Sequence, residues 1–299
     1  MSQQPGSADE IAAVRAIWSQ LGLPGMIDVH THFMPKRVMD KVWDYFDSAG
    51  PLLGRYWPIS YRTDEQERVR TLQQFGVRAF TSLVYPHKPD MAAWLNQWSI
   101  QFAGDTPSCL PTATFYPEPG AAEYVGDAVD AGARVFKAHL QVGRYHPNDP
   151  LLQPVWERIE RDRIPVVIHC GSGPVPGEHT GPAPVRRLLD RYPRLPLIIA
   201  HMGMPEYGEF FDICAEFPEV RLDTTMAFTP FTEEIMPFPP ALGPRLIEMG
   251  ERILFGSDFP NIPYGYLAAI RALTDLPGVD DAWLRAVLHT NAAQLFSLE

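Results

Sequence analysis

The sequence predicts an α/β protein built as a (β/α)8 TIM barrel, a single domain over residues 1–299 with an N-terminal extension over residues 1–25. Three observations predict it. From Met26 onward, eight short β-rich runs alternate with segments of helical spacing. Parallel strands need crossover helices, and eight such units close a sheet into a barrel. Residues able to carry chemistry (His30, His32, His169, His201 and Asp258) fall at or just past the ends of these runs, on the face where such barrels build their sites.

In chain order, Ile11–Leu21 reads as an extra helix before the barrel. The first strand is Met26–His30, then a helix at Asp64–Phe75 leads to the second strand, Val77–Val84. A helix at Met91–Phe102 precedes the third strand, Leu110–Phe115, and the fourth is Arg134–His139. The helix Leu151–Arg161 leads to Pro165–His169, the helix Pro184–Arg191 to Leu197–His201, and the helix Glu206–Phe217 to Val220–Asp223. The Pro-rich stretch Phe228–Pro240 reads as a loop over the site, followed by a helix at Leu242–Met249 and the eighth strand, Ile253–Gly256. Helices at Asp280–Leu288 and Asn291–Phe296 close the chain. The 31 prolines concentrate in the loops, as stiff connections require, and no repeat marks a second domain.

Composition narrows the function classes. The chain is 45% hydrophobic and 20% charged, as a globular domain with a large core should be. Its 36 acidic and 25 basic side chains leave a net charge of −11, and no basic cluster could follow a phosphate backbone, which argues against nucleic acid as a partner. Such a surface gives no long-range attraction to anions, so individual arginines must catch any anionic substrate locally. Met1–Glu10 lacks the basic and apolar regions of a signal peptide, and no apolar run has the length of a membrane span. Cys109, Cys170 and Cys214 are odd in number and far apart, which argues against a disulfide framework. A cytoplasmic enzyme acting on a small molecule is the expectation.

The pair His30 and His32 is the strongest single signal. Side chains alternate along a strand, so residues two apart share a face and can hold one cation together. Alone the pair is weak, since two hydrogen-bonded core histidines would look the same. With His169, His201 and Asp258 at other strand ends, distant segments converge on one place.

Those segments also resemble a known superfamily. Ile27-Asp28-Val29-His30-Thr31-His32-Phe33-Met34-Pro35 resembles the first-strand motif of the amidohydrolase superfamily, and more narrowly of its amidohydrolase-2 branch, which includes aminocarboxymuconate semialdehyde decarboxylase-like proteins. Val167-Ile168-His169-Cys170-Gly171 is similar to the fifth-strand motif, and Ile198-Ile199-Ala200-His201-Met202-Gly203 to the sixth. Leu254-Phe255-Gly256-Ser257-Asp258-Phe259-Pro260 is similar to the eighth, and Asn291-Ala292-Ala293-Gln294-Leu295-Phe296 to the terminal helix. The likeness runs from Met26 to Leu298 and says little about substrate.

The resemblance implies one divalent metal, zinc first and manganese second, held by His30, His32, His169 and Asp258. Neutral imidazoles and a carboxylate suit such a borderline ion, and a catalytic site keeps one position open. It further implies catalytic roles for Asp258, as ligand and proton acceptor, and for His201, as base or electrostatic aid. A metal lowers the pKa of a bound water to about 7. Lys137 and His139 share a face of the fourth strand. In two-metal relatives a lysine there is carbamylated and bridges the ions, so these two residues are candidates for a second metal or for substrate contact. A homodimer is a common assembly in such relatives.

Other residues carry weaker expectations against simple packing or solvation. Phe33, Tyr56, Trp57 and Tyr61 could wall a pocket. Arg55, Arg62 and Arg144 could clamp a carboxylate. His87, His146 and His179 lie in loops on the active face. Asp28 reads as supporting His30 rather than reacting. Cys170 reads as packing and His289 as structural.

The leading functional reading is a metal-dependent hydrolase that cleaves a C–O or C–N bond (lactone, ester or amide) of a small, carboxylate-bearing molecule with metal-activated water. The alternative is a metal-dependent nonoxidative decarboxylase or hydratase of an aromatic or unsaturated acid. A barrel that binds without turnover is the third. The resemblance implies that a chain shorter than the decarboxylase relatives, with a lysine at position 137 of the fourth strand where they lack one, goes with hydrolysis.

Overall fold

A computed structural model describes residues 5–298. The first four positions of the Met1–Glu10 stretch lie outside the described residues. Among the described residues the strands are β1 (Met26–Asp28), β2 (Val77–Thr81), β3 (Cys109–Leu110), β4 (Thr112–Thr114), β5 (Val135–His139), β6 (Val166–His169), β7 (Leu197–Ile199), β8 (Arg221–Asp223) and β9 (Ile253–Leu254). The eight expected runs each hold a strand, the third broken in two at Pro111, which has no N–H to give a ladder. The chain divides into two compact units: Met1–His32, Lys36–Phe80 and Thr224–Glu299 form one, and Phe33–Pro35 with Thr81–Asp223 form the other.

In the first unit, β1 pairs parallel with β2, Met26 facing Val77 and Asp28 facing Phe80. The expected extra helix spans Ala8–Gln20; the Ser7 side chain caps it by accepting the Glu10 N–H. Trp18 of this helix donates its indole N–H to the Phe75 carbonyl at 2.9 Å. Phe75 ends the Glu65–Phe75 helix, which closes on Gly76 at φ 85°. Glycine is needed there twice over: the backbone is left-handed, and a Cβ would come within 2.6 Å of the Trp18 ring. At the other end of the chain, Asn291 donates to the carbonyls of Gly250 and Ile253, both at 2.8 Å, and so ties the Asn291–Leu295 helix to β9.

In the second unit, β4 to β8 lie side by side in chain order, all parallel, with Thr114 opposite Lys137 and His139 opposite His169. Every residue of β5 and β6 is buried, as expected of parallel strands covered on both faces. The helices Ala92–Asp105, Ala121–Asp130, Gln153–Asp162, Pro182–Arg191 and Tyr207–Glu216 alternate with them. Asn96 locks the first of these helices to β4, accepting the Thr114 N–H at 2.7 Å and donating to the Thr114 carbonyl at 3.1 Å.

Among the described residues three helices of nine or more residues go beyond the sequence expectation: Lys36–Ser48, Ala121–Asp130 and Tyr266–Thr274. The first sets Val38, Met39, Val42, Trp43 and Phe46 on one face, a helical spacing that the sequence expectation omits, and buries Met39 and Trp43. Most strands are also shorter than expected. Ile199, not His201, ends β7, and a short helix at Pro230–Glu233 interrupts the Phe228–Pro240 loop. Among the described residues no helix is long and apolar enough to cross a membrane.

Candidate metal centre

In the first unit, the chain beyond β1 pairs with the chain beyond β9. The Val29 N–H donates to the Phe255 carbonyl (3.0 Å), the Asp258 N–H to the His30 carbonyl (2.9 Å), and the His32 N–H to the Phe259 carbonyl (2.7 Å). Thr31 and Phe259 form a parallel bridge between them. This pairing brings His30, His32 and Asp258 together, with one potential ligand atom of each within 4.8 Å of the others. Asp258 Oδ1 lies 2.9 Å from His32 Nε2 and 3.8 Å from His30 Nε2. All three side chains are buried, and Asp258 sits in the left-handed region at φ 70°. A non-glycine residue is strained there, and the flanking backbone bonds hold it. Two imidazole nitrogens and one carboxylate oxygen that converge while buried are a donor set suited to a borderline divalent cation.

Asp28 underlies this cluster. Its Oδ1 accepts the N–H of His30 and the N–H of Ser257, each at 3.1 Å. Its Oδ2 accepts the hydroxyls of Ser257 (2.6 Å) and Tyr266 (2.8 Å). One fully buried carboxyl thus ties the neighbours of both ligand segments. Burial pushes its pKa up to about 7, against the opposing pull of these four donors.

The second unit assembles another histidine group. The His139 and His169 rings stack at 4.1 Å with 11° between their planes, and His169 meets His201 edge-on at 4.8 Å. The His169 Nε2 is 3.1 Å from the Gly173 carbonyl. A carbonyl can only accept, so Nε2 is the donor in this contact. His139 Nδ1 accepts the Val142 N–H at 3.3 Å. His201 is at φ 55° in a left-handed turn, its N–H donating to Asp223 Oδ1 at 2.9 Å. Lys137 is fully buried. Cys170 is buried as well, and burial pushes its thiol well up, the state of an inert thiol.

The weaker candidates scatter. Phe33 is buried and stacks on Phe102 at 5.0 Å. Trp57 is buried, with its indole N–H on the Asn261 carbonyl (2.8 Å). Arg55 lies over the Phe231 ring at 3.8 Å and bonds the Phe231 carbonyl (2.6 Å) and Glu234 (3.0 Å), so it braces the 228–240 segment. Arg62 pairs with Asp47. Arg144 is exposed at a left-handed helix end, and His87 and Tyr56 are exposed. His146 is half-buried 3.1 Å from an Arg187 nitrogen, with the His179 ring at 5.5 Å. His289 is half-buried in a terminal helix.

Sequence reading missed Ser257, Tyr264 and Tyr266. The Tyr264 hydroxyl is buried beside the Thr229 side chain. Burial, with the negative charge of Asp258, pushes its pKa upward. Ser257 lies inside the eighth-strand motif; the tyrosines follow Ser257 within nine residues but carry no motif of their own.

The amidohydrolase family (Amidohydro_2) matches residues 27–298. No curated protein matches the chain in sequence. Among solved structures, an uncharacterized TIM-barrel protein from Bordetella bronchiseptica aligns at TM-score 0.73 and 19% identity, covering 92% of this chain and 99% of its own. A probable 2-pyrone-4,6-dicarboxylic acid hydrolase from Acinetobacter baumannii aligns at TM-score 0.62 and 15% identity, covering 91% and 99%. A dihydroorotase from Campylobacter jejuni aligns at 0.56 and 14%, covering 92% and 84%. At these identities the likeness speaks for the fold alone, and the fold is the TIM barrel.

Proposed function

The chain belongs to the amidohydrolase family, and on that premise we propose that this enzyme hydrolyses a lactone, ester or amide bond of a small, carboxylate-bearing molecule. The observation that carries this reading is the buried convergence of His30, His32 and Asp258. These three residues would hold a divalent metal, zinc in the first instance. When bound, the metal would supply Lewis acidity to the scissile carbonyl and acidify a water.

The chain's own groups do the rest. The second oxygen of Asp258 accepts a proton from the attacking water and returns it to the leaving oxygen or nitrogen as the C–O or C–N bond breaks. Asp28 keeps the His30 and Ser257 backbones in register so that Asp258 does not turn away. Burial of the cluster strengthens each of these interactions. By family resemblance, His169 joins the ligands and His201 supports the developing negative charge, while Lys137 and His139 remain candidates for substrate or for a second ion.

The test is elemental analysis per chain, followed by a panel of lactones, esters and amides assayed for acid release beside aromatic acids assayed for carbon dioxide. About one metal per chain with acid release supports the reading. Carbon dioxide release without hydrolysis would replace it with the decarboxylase, and absence of metal after reconstitution would remove its basis.

A further inference from the structure

The Tyr266–Thr274 helix starts after Gly265, which has no side chain to cap it. Its first two amides find their partners far away in sequence. The Tyr266 N–H donates to the Tyr61 hydroxyl oxygen at 2.7 Å, and the Leu267 N–H donates to Oε1 of Glu10 at 3.1 Å. Because the Tyr61 oxygen accepts from Tyr266, its own proton points to Glu10, whose two oxygens lie 3.0 and 2.9 Å away. The Gly6 N–H also donates to Glu10, at 2.6 Å. Every neighbour of this buried carboxylate is therefore a donor, a demand an amide cannot meet. Gly265 makes the approach possible, since a Cβ there would come within 2.4 Å of Glu10 Oε1.

The other end of Tyr266 reaches the candidate metal centre. Its hydroxyl donates to Asp28 Oδ2, and Asp28 Oδ1 accepts the His30 N–H. The Tyr266 ring stacks on Phe75 at 4.8 Å and 15°, so it has little freedom to rotate. Hydrogen bonds thus run outward from Tyr266 in two directions, from its backbone N–H through Tyr61 to the N-terminal helix and from its hydroxyl to the residue beneath His30. Glu10 lies outside residues 27–298, the part of the chain that matches the family.

We propose that Glu10 is a positioning residue for the His30–His32–Asp258 cluster: by fixing the start of the Tyr266–Thr274 helix it fixes the Tyr266 hydroxyl, and through it the Asp28 carboxylate that orients His30. The N-terminal helix is then a part of the site's support. Only the zinc arm of the test rests on the proposed function.

The test uses the full chain with Glu10→Gln, Tyr61→Phe, Tyr266→Phe and the double variant Glu10→Gln/Tyr266→Phe. Zinc affinity is read by chelator competition, and amide hydrogen exchange of the His30 and Ser257 segments is read in metal-free protein. Each single variant is expected to weaken zinc binding about tenfold, the low end for groups that orient metal ligands. The double variant is expected to lose no more than the worse single one, because both break the same chain. Exchange at His30 and Ser257 should quicken in all of them. Glu10 as a mere brace of the N-terminal helix would lower thermal stability with zinc affinity within about twofold of wild type, and that result would overturn the proposal. Losses that multiply in the double variant would do the same. If wild type binds no zinc, the metal reading fails by itself, and unchanged exchange at His30 then overturns this proposal separately. Tyr61→Phe and Tyr266→Phe decide the matter should Glu10→Gln not fold.

Discussion

The backbone N–H of Asp258 donates to the backbone carbonyl of His30 at 2.9 Å, joining by main chain two residues 228 positions apart whose side chains also converge. The candidate ligands are thus set by backbone pairing, and a side-chain change at either should leave the frame standing.

Asp258→Asn and His32→Ala should therefore fold while losing metal. Asp258→Asn keeps the shape but removes the charge and the proton acceptor, so kcat/KM should fall about 10³-fold. Metal content per chain and melting temperature, measured together, check this: full metal occupancy with lost activity would make Asp258 a base only.

Asp28→Ala leaves the Ser257 and Tyr266 hydroxyls and two backbone N–H groups buried without their acceptor. The loss should be about 3 kcal/mol or more, since unmade buried hydrogen bonds cost about 1–3 kcal/mol each before relaxation. Urea denaturation of the metal-free protein reads it. A loss under about 1 kcal/mol would mean that water replaces the carboxylate.

Tyr264→Phe removes a buried hydroxyl that lies beside the Thr229 side chain. Stability should change by less than about 1 kcal/mol, because the Thr229 hydroxyl keeps its bonds to the Met226 carbonyl and the Thr232 hydroxyl. If the hydroxyl serves substrate beside Asp258, kcat/KM drops about tenfold while melting is unchanged. Unaltered kinetics would leave Tyr264 a packing residue.

His289 gives a pH signature. Burial, and then the positive charge of Arg78, lower its pKa from the ordinary value of 6.5. Below about 6.5 the unfolded chain takes up a proton that the folded imidazole refuses, so unfolding gains protons and stability falls as pH falls. Above 6.5 both states are neutral and the contribution is fully present. Denaturation curves from pH 7.5 to 5 should decline less steeply for His289→Gln than for wild type; equal slopes would show that His289 does not contribute.

Strand positions and the chemistry-bearing residues at their ends were legible because both are local. A run such as Val166-Val167-Ile168 is buried whatever surrounds it, and His30, His32, His169, His201 and Asp258 are polar residues that interrupt such runs. The Ala121–Asp130 and Tyr266–Thr274 helices were not legible, the first carrying Gly126 inside it and the second lacking any capping side chain of its own.

What the sequence determined alone is the alternation of strands with helices and the inventory of potential ligands, since periodicity and residue type are properties of neighbours in the chain. Tertiary structure decided which side chains support that inventory. Nothing near Glu10 in sequence announces that its carboxylate meets Tyr61 and Leu267, or that Tyr266 reaches Asp28. Nor does Arg55 announce that its guanidinium is taken by Phe231 and Glu234. Buried hydrogen bonds are satisfied by whichever donor folding brings within about 3 Å, and that distance exists only once the chain has closed on itself.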